Sequence, residues 1–226
     1  MNGYEKSVGW IAADIQRLEK MASFSGVEPM TVLAPPLSPR LAPGASIRPT
    51  AKLWTVDEFH RLGELGVFEG RQAQLIDGTI LEEGPMNPPH ATAVELAGEV
   101  LRVVFGKGWR VRSQLPIVLG QQTDPQPDFA FLRGSARDTV EHPTTAELAV
   151  EISDASLKFD STDKADRYSL AGIPEYWVLD LNGRQLLVFR DPVANGYGTK
   201  FTVAVDGSVA PLAVPGVTVA VAALLP

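Results

Sequence analysis

The chain of 226 residues has no cysteine and only three histidines. The first absence excludes disulfides, thiolate metal sites and a cysteine nucleophile, and it leaves the compartment unfixed by redox chemistry. Long apolar runs are missing too. None reaches the roughly 18 to 20 residues needed to span a bilayer, and Glu5, Lys6, Asp14 and Arg17 punctuate the N-terminal stretch, so a cytoplasmic protein without a membrane segment is expected. Positive charge is in deficit, with 20 Lys plus Arg against 27 Asp plus Glu and a net charge of -7. That balance argues against non-specific coating of nucleic acid, although it permits a local basic patch. Apolar residues, at 45%, suffice for one globular domain with tails.

Periodicity divides the chain. Ile11, Ile15, Leu18 and Met21 recur at helical spacing over residues 10–21, which predicts a short amphipathic helix. The proline-dense stretch over residues 32–51 blocks helix and sheet and reads as an extended linker. The N-terminal region therefore covers residues 1–51 and the folded domain 52–226. Thr55 with Glu58 forms a capping-box pattern opening a helix that Gly66 stops. Asp77-Gly78, between two apolar runs, signals a hairpin. Val94, Ala97, Leu101 and Val104 share one face of a helix over 89–105. Strands are predicted in "WRVRSQLPIVLG", "QPDFAFLR" and "LAVEIS". A helix capped by Asp160 or Ser161 runs to about Ala171, a hairpin turns through Leu181-Asn182-Gly183-Arg184, and "KFTVAV" and "GVTVAVAALL" add β signals. Interleaved helices and strands define an α/β or α+β class with a mixed central sheet.

Three ionisable residues carry the chemical interest. Asp128 and Glu151 each lie in an apolar strand, opposite its bulky side chains, and Lys164 lies early in the helix that follows. If the strands are neighbours, the carboxylates lie side by side, repel, and raise each other's pKa unless a cation separates them. Mg²⁺ or Mn²⁺ suits that role, because hard cations take one or two protein carboxylates plus waters and substrate oxygens. A nearby lysine orients or deprotonates an attacking water and offsets phosphate charge. The competing reading is plain: an acid on a strand usually faces solvent, and a helical lysine usually decorates a surface.

The segments "QLIDGTILEEGPMNPPHATAVELAGEVL", "PQPDFAFL" and "LAVEISDASLKFDSTDKADRYSLAGIPEYWVLD" resemble, in order and content, the Uma-type restriction endonuclease family of the PD-(D/E)xK nuclease superfamily. The likeness spans about residues 54–192 and is most specific in "DKADRYSLAGIPEYWVLD". It implies a restriction-endonuclease-like core, a mixed sheet flanked by helices, and DNA as substrate. By position it implies that Asp128 and Glu151 bind the metal, with the Ile152 carbonyl completing the shell. The superfamily's lysine, two residues beyond the glutamate, is replaced here by Ser153, and the likeness assigns its work to Lys164. Asp160 matches a family aspartate and, as a helix cap, would fix where the lysine projects. His90 matches a family histidine near a helix start, a position equally suited to capping or packing.

Two departures stand out. The family's glutamate before Leu-Ile-Asp-Gly is Gln74, whose amide can hydrogen-bond a water but adds no charge. Its serine-proline-serine run becomes Ser153-Asp154-Ala155, adding an acid near the site. Arg102, Lys107, Arg110 and Arg112 cluster at one helix-to-strand connection, either to meet a DNA backbone or as a solvated face. His60 and His142 have no such match, and Tyr168 and Trp177 read as packing residues.

Two functions compete. One is a Mg²⁺- or Mn²⁺-dependent endonuclease, expected as a homodimer because paired sites address both strands of a duplex. The other is a nuclease-fold protein that binds DNA or protein after losing its chemistry, as Gln74 and the acidic charge suggest. A two-carboxylate sugar hydrolase ranks last, because it leaves Lys164 without a role.

Overall fold

The computed structural model describes residues 50–226; the predicted helix at 10–21 and nearly all of the proline-rich stretch lie outside them. Helix α1 (Val56–Glu64) starts at the capping box, with the Thr55 side chain accepting from the Glu58 N–H and the Glu58 carboxylate accepting from the Thr55 N–H. A tight turn at Asp77 and Gly78, both at positive φ, joins β1 (Ala73–Ile76) to β2 (Thr79–Glu82) as an antiparallel pair. Ala73 and Leu75 turn to Val56 and Phe59 in a small core of their own.

Helix α2 (Pro88–Phe105) begins at Asn87, whose side chain accepts from the His90 N–H, with proline at its first position. Its buried face comprises Ala93, Ala97, Gly98, Leu101 and Phe105. Gly98 is needed for close approach, since a Cβ there would sit 3.2 Å from the Phe129 ring.

The central sheet has six strands, β3 (Trp109–Ser113), β4 (Phe129–Arg133), β5 (Leu148–Ser153), β6 (Glu175–Asp180), β7 (Gln185–Val193) and β8 (Gly196–Ala204), in sequential order. All neighbours are antiparallel except β5 and β6. A parallel pair needs a crossover. It is supplied by α3 (Leu157–Phe159), a π-helical turn (Asp160–Lys164) and α4 (Ala165–Leu170), which follow one another without interruption. The sheet is covered on both faces. Phe129, Phe131, Leu148, Val150 and Ile152 meet α2 on one side; Ala130, Ala149, Tyr176 and Val178 meet Ala165 and Tyr168 of the crossover on the other.

Several elements are shorter than predicted. β3 stops at Ser113 because Gln114 adopts φ 51° and Pro116 has no N–H to donate. "KFTVAV" falls in β8 as far as Ala204, but "GVTVAVAALL" yields only β10 (Val219–Ala220), which pairs with β9 (Ser208–Val209) and is followed by a 3₁₀ turn (Val221–Ala223). That turn brings Val221 and Leu224 onto the core beneath α2, a placement that i to i+3 eclipsing favours.

The C-terminal segment is also held by charge. Glu175, fully buried, accepts from Arg190 Nε and a guanidinium NH₂ group, Trp177 Nε1 and the Leu212 N–H. Removing one member of such a pair strands a buried charge. Arg190→Ala is expected to lower unfolding free energy by about 3–5 kcal/mol, read from denaturant titration; a loss below about 1 kcal/mol, the level of a surface pair, would contradict this account.

Candidate active site

A cleft of about 550 Å³ opens where the β1–β2 hairpin, the start of α2, the ends of β4 and β5, and the crossover helix meet. Gln74, His90, Asp128, Glu151, Asp160 and Lys164 all line it. These are the residues singled out from sequence as catalytic, metal-binding or accessory side chains.

Glu151 projects from the middle of β5 toward the crossover, away from Val150 and Ile152. It is 4% exposed, which excludes a solvated outer face. Lys164 Nζ lies 3.1 Å from Glu151 Oε1, and the Tyr168 hydroxyl donates to the same oxygen at 2.9 Å. Lys164 and Tyr168 are four residues apart, so they share a helix face. Lys164 is equally buried and lies 3.5 Å from Asp160 Oδ1. Burial pushes the Glu151 carboxyl up to about 8; Lys164 opposes the shift, and Asp160 and Asp128 add to it. For Lys164, burial works against the charge, but Glu151, Asp160 and Glu83 outweigh it and hold the ammonium above its usual range.

Asp128 stands one residue before β4, not within it. Its Oδ2 accepts from the Ile152 N–H at 2.7 Å; Gln114 Nε2 donates to Oδ1 at 3.2 Å, and His90 Nε2 lies 3.5 Å from that atom. On a strand the N–H and C=O of one residue point to the same edge. The Ile152 carbonyl therefore points where the β4 pairing has already ended, at Phe129 opposite Val150. The hydrogen bond to Asp128 draws the His90 imidazole pKa upward; burial opposes, and the charges of Asp128, Glu83 and Asp154 add to the rise.

Asp160 does not cap the start of the helix. The helix starts three residues earlier, at Leu157, and Asp160 is buried inside the π-helical turn, accepting from Ser156 Oγ at 2.5 Å and facing Lys164. π-turns insert an extra residue into a helix and recur at functional sites. Asp154, the extra acid, is engaged: Asn87 Nδ2 donates to its Oδ2 at 2.6 Å and Asn182 Nδ2 to its Oδ1 at 2.8 Å.

The basic cluster divides. Arg102 extends from α2 to donate to Ser113 Oγ, whereas Arg112, buried on the opposite sheet face, donates to the Pro116 carbonyl and meets His142 Nδ1. Alternation along β3 sends Arg110 to the Arg112 side. Lys107 is exposed in the intervening connection. Arg102 and Arg112 thus present no common surface, and burial removes Arg112 from contact with a DNA backbone.

Two residues were overlooked. Tyr168 packs as expected but also serves Glu151, which its spacing from Lys164 foreshadowed. Glu83 accepts from Gln74 Nε2 at 2.6 Å. Although Glu83 is exposed, partial desolvation against the cleft wall raises its carboxyl pKa; Lys164 opposes, and Asp128 and Asp160 add to the rise. The Asp77-Gly78 turn fixes a register with Gln74 opposite Leu81, which puts Glu83 on Gln74's face; the signal was in the hairpin.

The mixed sheet, its parallel crossover and the paired acids at the sheet end define a nuclease-like fold. The chain belongs to the Uma2 family, described as "Putative restriction endonuclease", whose model matches residues 56–222. The match continues past residue 192, so the C-terminal strands fall within the family model. No curated protein matches the chain. Among solved structures it is similar to "a putative nuclease belonging to DUF820" from Anabaena variabilis, with a TM-score of 0.62 and 16% identity, covering 75% of this chain and 96% of that one. Among the described residues, no helix is long and apolar enough to cross a membrane.

The raised Glu151 pKa has a consequence for stability. Between about 4.5 and about 8 the folded state keeps a proton that the unfolded chain releases, so stability falls as pH rises through that window. Thermal and denaturant unfolding of metal-free protein should show a decline of up to about 1.4 kcal/mol per pH unit. Glu151→Gln should flatten it; an unchanged slope in that variant would refute the assignment.

Proposed function

We propose that this protein is a divalent-cation-dependent DNA endonuclease that hydrolyses phosphodiester bonds in the cleft between Asp128, Glu151 and Lys164. The observation that carries the reading is convergence. A β4-edge aspartate, a β5 glutamate and a crossover lysine, distant in sequence, line one cavity beside a carbonyl turned to an unpaired sheet edge.

The donor set fits Mg²⁺ or Mn²⁺. The Asp128 and Glu151 carboxylates and the Ile152 carbonyl are hard oxygens, and the acids of the cleft outnumber Lys164 and His90. Among the described residues no group of three or more His, Asp or Glu side chains is arranged to hold a metal ion. Mg²⁺ usually draws on one or two carboxylates and keeps several waters, so the two acids and the carbonyl are the donors it would use. When bound, the cation supplies Lewis-acid polarisation of the phosphodiester and acidifies water.

The chain's own groups do the rest. Lys164, held charged by Glu151 and Asp160, donates hydrogen bonds, so it orients water and offsets phosphate charge rather than removing a proton. Tyr168 fixes the Glu151 carboxylate. His90, its imidazole drawn toward the charged form by Asp128, is placed to meet a phosphate oxygen at the cleft mouth. A homodimer acting in the cytoplasm would present two such sites to the two strands of a duplex.

Gln74, which adds no charge where the family carries a glutamate, and the net charge of -7 favour one alternative, a nuclease fold retained for binding DNA or protein. Plasmid assays separate the two. Nicking that requires Mg²⁺ or Mn²⁺ should vanish in Asp128→Ala and Glu151→Ala and fall about 10²–10³-fold in Lys164→Ala. Undiminished cleavage by Glu151→Ala sinks the mechanism. Binding without cleavage under every divalent ion selects the alternative.

A further inference from the structure

Gln74 is 3% exposed, and only part of its side chain is satisfied. Its Nε2 donates to Glu83, while its Oε1 is buried with no hydrogen-bond partner. A buried orphan acceptor is costly, and such atoms in native structures commonly mark an absent water or ion. Both residues line the cleft, and the hairpin register sets them diagonally on one face. The Glu83 carboxylate lies within the electrostatic reach of Lys164, Asp128, Asp160 and His90. It adds negative charge to a wall where Gln74 has none. The Gln74 amide fixes one carboxylate oxygen.

We propose that Glu83, oriented by Gln74, is a positioning acid for the cation, acting through the cation's water shell rather than as a direct ligand. The pair combines a carboxylate with a spare amide oxygen, both acceptors, and a hydrated divalent cation is rich in donors. Outer partners of this kind commonly tune metal affinity about 10–100-fold. The inference rests on the cleft reading given above.

Calorimetric titration of MnCl₂ into the metal-free full chain tests it, with Glu151→Ala as control. The wild-type protein should bind Mn²⁺, and Glu83→Gln should weaken binding about tenfold or more. The double exchange Gln74→Glu with Glu83→Gln keeps the net charge and the hydrogen bond with the roles reversed, and it should restore affinity to within about threefold, inside the range that outer partners tune. Wild-type affinity in Glu83→Gln overturns this proposal and leaves the cleft reading intact. Failure of the exchange to recover the loss makes the pair merely structural and also overturns it. A wild-type protein that takes up no Mn²⁺, or a Glu151→Ala variant that takes it up equally well, removes the cleft reading itself and the proposal with it.

Discussion

Glu151 sets the terms for its surroundings, because a carboxylate buried where sheet and helix meet is costly to desolvate unless partners compensate it. Its partners come from one element. Lys164 and Tyr168 both address the same oxygen, and Asp160 in turn faces the lysine. The crossover required by the parallel pairing of β5 with β6 therefore also delivers the groups that make the buried acid tolerable. Connectivity and electrostatics impose the same placement on this helix.

The opposite wall of the cleft is joined by hydrogen bonds. Asp154 links Asn87, at the start of α2, to Asn182, in the β6–β7 turn. Asn87 also accepts from the His90 backbone, so an exposed polar clasp sets the position of the helix end that carries the imidazole. The departure from the family's serine-proline-serine run thus has a structural function here, since Asp154 binds neighbouring loops together rather than adding a free charge to the cavity.

Much of the fold was legible because its signals are local. The capping box at Thr55, the Asp77-Gly78 turn and the alternation along "LAVEIS" each encode a conformation within a few residues, and each appears as read. The C-terminal strand overestimate arose where a long-range demand intervened, at Val221 and Leu224, which turn into the core beneath α2. In the site, Asp128, Glu151 and Lys164 were found through residue type and family likeness, whereas the early helix start and π-turn around Asp160 have no spacing signature. The scattering of Arg102 and Arg112 to opposite sheet faces follows from strand alternation, but only once the β3 register is known. Glu83 required the hairpin to be continued one residue past the paired run, a step that adjacent acids in the sequence do not suggest.

Placing the lysine on a helix instead of on the strand of its glutamate changes what controls their separation. Two side chains on one strand are spaced by covalent geometry, which hardly yields. Lys164 and Glu151 are instead spaced by the seating of Ala165 and Tyr168 against Ala149 and Tyr176, a contact between layers. Their distance is thus a property of tertiary packing, open to adjustment by substitutions well away from the charged groups. The same arrangement ties the Glu151–Lys164 contact to the packing of the crossover on the sheet, so the site is assembled only when the two layers have closed.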